Sequence, residues 1–331
     1  MRIFILEYFL SQKKDRNFKE SFYKEGKQIL TSLIKSFAKI ENLKLSIYVN
    51  QNNISLVDNN FKNVDFIVSS NKSQSSYFEK LINLDLNNCD YFLIIAPETN
   101  NLLYQITKIM ETKNLNNLGC SSECIKKAAD KWLLYNNFKN TSIKLAESYL
   151  IGRNDLNLDR DFFPAVIKAK YSAGSELEII KSKKEFKNLS IEDYKGQIIQ
   201  KIINGVSGSL SIAANSKKLQ ILSFNKQLIN PDNFSYLGST INYKFSEKNK
   251  LNQLAKLIKQ KYPNLTGYFG IDFIYNEKGV YLLEINPRIT SSYIGLAKIS
   301  NPAKIILDLA KNKKQLDPEA LSKMKFTFYL N

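Results

Sequence analysis

Residues 267–294 read GYFGIDFIYNEKGVYLLEINPRITSSYI, and the fold turns on this stretch. Two β-branched and aromatic runs, Tyr268 to Tyr275 and Val280 to Ile285, flank the short polar connection Glu277-Lys278-Gly279. That is the pattern of a β-hairpin with a three-residue loop, in which glycine takes the left-handed position. With Asn276 opposite Val280, Asp272 faces Glu284 and Gly270 faces Asn286. Side chains alternate across a strand, so Asp272, Glu284 and Asn286 project from one face, and Phe273, Leu283 and Ile285 from the other.

Carboxylates directly opposite one another repel unless something positive sits between them. Mg²⁺ suits that place, since it takes oxygen ligands and is commonly shared with substrate phosphates. The competing reading puts both acids on a solvated face, each beside a lysine. Acids set among apolar neighbours need a partner, which favours the metal.

Asp272 followed by Glu284-Ile285-Asn286-Pro287-Arg288 resembles the metal-binding end of the ATP-grasp superfamily, with its Glu-x-Asn pair and an arginine two residues on. The resemblance implies that Asp272, Glu284 and Asn286 hold one or two Mg²⁺ (or Mn²⁺) ions on the phosphates of ATP. It gives Arg288 the transferred phosphoryl group or the acyl phosphate, a role that suits a planar, always-charged donor fork.

Composition narrows the chemistry. At 331 residues the chain is long enough for two or three lobes. No apolar run approaches the ~18 residues of a membrane span. MRIFILEYFL at the start carries Glu7 and lacks a small-residue cleavage site, so it reads as a first strand in a cytoplasmic protein. Histidine is absent, which removes the commonest general base and the Ser-His and Cys-His triads. Chemistry must run on carboxylates, cations and a metal. Cys89, Cys120 and Cys124 match no zinc spacing and read as free thiols. The net charge of +17 comes mostly from lysines scattered among asparagines. Without a basic cluster it argues against nucleic acid and for anionic small substrates such as ATP.

Residues 1–112 alternate strand and helix. Strands are expected at Arg2 to Leu10, Leu43 to Val49, Val64 to Val68 and Tyr91 to Ala96, with helices at Phe22 to Ile40, Gln74 to Leu84 and Leu102 to Thr112. This predicts a small parallel sheet whose strand ends form a ligand crevice. No glycine-rich dinucleotide fingerprint is present, so NAD is disfavoured. Ser121 or Ser122 is expected to cap one helix running to about Phe138, with Lys131 inside it.

A strand, Phe163 to Lys170, then meets the small-residue loop Tyr171-Ser172-Ala173-Gly174-Ser175, whose backbone N–H groups suit phosphate. With Lys131 and the C-terminal acids, this resembles the two phosphate-contacting lysines and flexible loop of ATP-grasp enzymes. Lys168 aligns with the second lysine, and Ser172, Gly174 and Ser175 with the loop. In the same family the strand through Gln200, Lys201 and Ile203 is the hinge whose backbone meets adenine. Here Gln200 stands where glutamate is usual, and a small residue near Ser207 stands where an acid often holds the ribose. Further on, Ile212 to Phe245 reads as strand and loop, with helices at Leu251 to Lys261, Ser291 to Ile299 and Ala303 to Leu309, and a last strand at Lys325 to Leu330.

The expected architecture is α/β with α+β lobes: an ATP-grasp fold behind a Rossmann-like pre-ATP-grasp domain. Its boundaries fall at 1–112, 113–197 (small lobe) and 198–331 (C-terminal lobe with the metal site). Within the superfamily, Phe4 to Tyr8, Ala96 to Thr99, Asp130-Lys131, Val166 to Ser175 and Ile285 to Gly295 resemble the tyramine–glutamate ligase group of methanofuran biosynthesis. This implies ATP, glutamate and tyramine giving γ-glutamyltyramine, ADP and phosphate through an acyl phosphate, with no membrane partner and a homodimer as the candidate assembly. Glu7, Tyr8 and Glu98 are the N-terminal candidates for substrate contact. Alternatives are another amino-acid or peptide ligase on this scaffold, and a nucleotide-binding module without turnover.

Overall fold

The computed structural model describes all residues except 16–17, 58–60, 71–75, 153–155, 172–176, 314–315, 317–319 and 331. The chain opens with β1 (Arg2–Glu7), α1 (Tyr8–Ser11), α2 (Glu20–Phe37), β2 (Lys44–Asn50), β3 (Val64–Ser69), α3 (Tyr77–Ile82), β4 (Tyr91–Ile95), α4 (Leu102–Glu111) and β5 (Asn116–Asn117). The strands pair in parallel in the order β3-β2-β1-β4-β5. Ile3, Phe4, Ile5 and Leu6 are all buried, because a central parallel strand is covered on both faces and has no polar side to show.

The first strand is shorter than its apolar run. It stops at Glu7, whose carboxylate accepts a hydrogen bond from Leu10 N at 2.8 Å and caps the helical turn α1. A side-chain acceptor at that place satisfies an amide the strand ladder would leave unpaired, so helix wins over strand for Tyr8 to Leu10.

Next come α5 (Ser122–Ala128), α6 (Lys131–Phe138), β6 (Lys144–Leu145), β7 (Ser148–Leu150), β8 (Ala165–Lys168), β9 (Glu178–Ile180), α7 (Lys183–Lys187) and β10 (Ile198–Lys201). The helix expected from Ser121 to Phe138 is two helices. Asp130 breaks it by capping a new start, its Oδ1 accepting from Trp132 N and Leu133 N at 2.9 Å each. Strands β7-β10-β8-β9 form an antiparallel sheet with a core of its own around Ile151, Phe162, Ile167 and Ile199.

The remainder is β11 (Val206–Ala214), β12 (Leu219–Ile229), β13 (Tyr236–Ile241), α8 (Lys248–Lys261), β14 (Gly267–Asn276), β15 (Gly279–Asn286), α9 (Ser292–Ile299), α10 (Pro302–Ala310) and β16 (Phe326–Tyr329). They build a seven-stranded sheet in the order β16-β13-β12-β11-β14-β15-β6. Helix α2 packs on both α9 and α10, which joins the N-terminal sheet to this one.

The hairpin β14–β15 carries a correction. Asn276 pairs with Gly279, not Val280, so the turn is Glu277-Lys278 and the register there is one residue off the expectation. A bulge between Asp272 and Phe273 takes up Leu283 and restores Asp272 opposite Glu284 and Gly270 opposite Asn286. Leu282, not Leu283, therefore joins Phe273 and Ile285 in the core, and Leu283 lines the cleft beside Glu284. The turn is shorter because Asn276 Oδ1 accepts from Lys278 N at 2.9 Å, closing it locally.

Among the described residues no helix is long and apolar enough to cross a membrane. The three cysteines are free thiols.

Candidate active site

A cleft of about 640 Å³ opens where the three sheets meet. Its deepest chemistry is on the hairpin. Asp272 of β14 and Glu284 of β15 lie directly opposite, and Asn286 Nδ2 donates to Asp272 Oδ2 at 3.1 Å. Burial, and after it the charge of Glu284, pushes the Asp272 carboxyl above the usual carboxylate range. Burial acts on Glu284 in the same direction, yet the Lys131 and Lys168 cations outweigh it and hold Glu284 below that range. The Lys131 Nζ to Glu284 Oε2 distance is 3.1 Å.

Each cation is positioned by local structure. Lys131 is the first residue of α6, set by the Asp130 cap. Asp130 Oδ2 also accepts from Tyr171 OH at 2.8 Å, and Lys131 N donates to Lys170 O at 3.2 Å, so the start of α6 is pinned to the end of β8. Lys168, the last residue of β8, is buried, and its Nζ donates to Gln200 Oε1 at 2.8 Å. Gln200 in turn donates from Nε2 to Ser148 Oγ at 2.9 Å. Burial drives the Lys168 ammonium down to about 8, against the pull of Glu284. Its direct partner is a neutral amide, which gives less compensation than an acid would.

Arg288, two residues past β15, points toward the N-terminal sheet. Its Nε donates to Glu98 Oε1 at 2.9 Å and its Nη1 to Ile289 O at 3.2 Å. Glu98 follows β4, and its Oε2 is buried with no hydrogen-bond partner among the described residues. Burial lowers the Arg288 guanidinium, but Glu98 and then Glu25 reverse this and leave it raised.

The structure thus brings Asp272, Glu284, Asn286, Lys131, Lys168 and Arg288 to one cleft, with Lys201, Ile203 and Ser207 along the same wall. Gln200 also lines it, but its side chain is turned onto Lys168. Ser172, Gly174 and Ser175 lie outside the described residues. Of the N-terminal candidates Glu7 lines the cleft, Glu98 is the partner of Arg288, and Tyr8 packs instead into an aromatic cluster with Phe18 and Tyr77.

Two contributors were missed from sequence. Gln227 of β12 hydrogen-bonds Asp272, and Glu25 of α2 accepts from Ser291 Oγ. Gln227 shares a strand face with the buried Asn225, and that alternation was its only local signal. Glu25 had none, because its partner is 266 residues away.

Residues 128–292 match the model of the ATP-grasp domain, and residues 48–125 that of the pre ATP-grasp 3 domain. The tyramine–L-glutamate ligase of Methanocaldococcus jannaschii is 32% identical over 318 residues, which cover 94% of this chain and 90% of that protein. Among solved structures, a putative ATP-grasp superfamily protein from Archaeoglobus fulgidus superposes with a TM-score of 0.69 at 23% identity, covering 99% of this chain and 98% of that one. The L-amino acid ligase of Bacillus licheniformis superposes with a TM-score of 0.65 at 13% identity, covering 94% of this chain and 74% of that one.

Proposed function

The chain belongs to the ATP-grasp family, and from that premise we propose that this cleft joins L-glutamate to tyramine, with ATP converted to ADP and phosphate. ATP-dependent ligation of a carboxylate to an amine is the activity its ligase relatives share. The two substrates are taken from the name of the relatives that match 94% and 89% of the chain. The same resemblance supports a place in methanofuran biosynthesis. We divide the chain into a pre-ATP-grasp domain (1–112), a small lobe (113–197) and a C-terminal lobe (198–331).

One observation carries the reading: two opposed carboxylates, Asp272 and Glu284, sit within reach of two buried cations on the other lobe. The donor set fits a hard divalent ion. Burial, and after it the charge of Glu284, pushes Asp272 up, and a dication beside it would relieve that cost. No three His, Cys, Asp or Glu side chains converge among the described residues. Asp272, Glu284 and Asn286 would therefore supply part of a shell that nucleotide phosphates complete. A Mg²⁺ ion held by these residues would supply charge neutralisation to the phosphates and make the transferred phosphorus more electrophilic.

The rest is positioning by the chain's own residues. Lys131 and Lys168 hold phosphate oxygens, and Lys201 with Ile203 offers backbone to the adenine edge. Ser172, Gly174 and Ser175, which lie outside the described residues, are assigned to phosphate by the family resemblance alone. Arg288, kept in place by Glu98, faces the developing acyl phosphate. Burial in the cleft keeps water from the mixed anhydride until the amine arrives. No general base of histidine type is needed, because most of the barrier is charge neutralisation.

Screening pairs of acids and amines by Mg²⁺-dependent ADP release tests this reading. Glutamate with tyramine should give the highest rate. A screen in which no pair releases ADP above the rate with ATP alone would remove the ligase assignment.

A further inference from the structure

The wall of the cleft contributed by the N-terminal sheet differs in character from the lysine end. β1 ends on Glu7, and the turn after it presents Phe9. Helix α2 presents Phe22, Glu25, Gly26 and Ile29, which fall along one stripe at helical spacing. All six line the cleft. The Phe9 and Phe22 rings stack with centroids 5.5 Å apart and planes 19° from parallel, forming a flat apolar surface.

Glu7 is only 2% exposed. Burial holds its carboxyl up at about 8, while the amides of Leu10 and Phe9 pull down and the like charge of Glu25 pushes up. No lysine or arginine forms an ion pair with it among the described residues. A buried carboxylate held only by backbone amides is expensive to ionise, and a cation brought by a ligand relieves this.

Gly26 makes room for this carboxylate against helix α2. A Cβ there would stand 2.6 Å from Glu7 Oε1, so helix α2 carries glycine where it passes the acid. Glycine inside a helix is destabilising, and its presence marks a close approach that a side chain would block.

We propose that this wall is the amine subsite: Glu7, assisted by Glu25, receives the ammonium of the attacking substrate, and the Phe9–Phe22 surface takes its aromatic body. The inference rests on the ligase reading and adds to it the residues that choose the amine. The cleft is then electrically divided. Phosphates are drawn to Lys131 and Lys168, which repel an ammonium, while the amine is drawn to Glu7 and Glu25; Arg288, paired with Glu98 and within the field of Glu25, stands between the two ends.

The chemical step balances. The ammonium passes one proton to the Glu7 carboxylate, and the freed lone pair attacks the acyl carbon. The C–N bond forms as the bond from that carbon to the phosphate oxygen breaks. Phosphate leaves with the electron pair and takes the surplus proton from nitrogen, giving the neutral amide.

The test separates acid activation from amine use. Hydroxylamine, small and uncharged near neutral pH, traps the acyl phosphate as a hydroxamate without needing the amine subsite. In the full chain, Glu7→Gln should lower kcat/KM for tyramine by about tenfold or more while leaving hydroxamate formation within about twofold. Phe22→Ala, at a half-buried position that tolerates truncation, should lower kcat/KM for tyramine relative to a short alkylamine. Tyramine kcat/KM within about twofold of the parent in both variants would overturn the proposal. So would an equal loss of hydroxamate and amide in Glu7→Gln, which would place Glu7 on the acid side. A parent chain that forms no hydroxamate with any acid fails differently: it overturns the ligase reading and this inference with it.

Discussion

Glu98 and Arg288 form a buried ion pair, Oε1 to Nε at 2.9 Å, between residues 190 apart in the chain. The acid comes from the loop after β4 and the arginine from the segment after β15. The N-terminal sheet therefore sets the aim of an arginine that follows the hairpin carrying Asp272 and Glu284. The second carboxylate oxygen of Glu98 is buried without a partner, so the pair is held by geometry rather than by a full set of hydrogen bonds.

Removing one member of such a pair leaves the other charge buried. Glu98→Ala should destabilise the fold by about 3–5 kcal/mol and lower kcat more than it raises the KM for ATP. Urea unfolding and steady-state kinetics measure the two effects. A stability change under about 1 kcal/mol would show that Arg288 does not depend on Glu98.

Glu284→Gln keeps the shape of the side chain and removes the charge that faces Asp272 and Lys131. ADP release should fall by about a hundredfold or more with the melting temperature nearly unchanged. Mg²⁺ with ADP should raise the melting temperature of the parent and not of the variant, and a chelator should abolish turnover. Unchanged activity in the variant would refute the metal assignment.

Lys168 supplies the pH prediction. Its folded pKa, about 8, lies below its ordinary value of 10.5, so the folded state gives up a proton that the unfolded state keeps. Stability from this group is therefore lowest below about pH 8 and rises as pH climbs from there toward 10.5. Phosphate binding needs the charged form and runs the other way. kcat/KM for ATP should fall as pH passes about 8. Gln200→Glu places an anion 32 residues away in sequence but beside Lys168 Nζ, and should move that limb to higher pH. A limb that stays where it was would show that Lys168 is not the titrating group.

Asp130 caps α6 and anchors Tyr171. Asp130→Ala should cost about 1–2 kcal/mol and raise the KM for ATP, because Lys131 begins the helix that the cap starts. Equal KM values in parent and variant would show that Lys131 keeps its place without the cap.

Much of this protein was legible in local pattern. Alternation along Tyr268 to Tyr275 and Val280 to Ile285 put Asp272, Glu284 and Asn286 in reach of one another, and the alternating elements of residues 1–112 gave the parallel sheet. These readings work because a strand's period and a helix's stripe are set by neighbours a few residues apart. Local pattern misled where two local forces competed. The apolar run at the start looked like strand through Leu10, but the Glu7 cap turned it, and a mistaken hairpin turn was cancelled by a bulge at Leu283 that no spacing announced.

By itself the sequence determined which residues carry charge, which face of each strand they share, and that the chemistry must run without histidine. Only the tertiary structure decided that Glu98 holds Arg288, that Gln200 turns inward onto Lys168, and that Glu7 and Glu25 meet an aromatic wall across from the lysines. Those relationships join residues on separately formed bodies. They depend on how the packed sheets and α2 come together, and that is an outcome of burying apolar surface over the whole chain that no short window of residues contains.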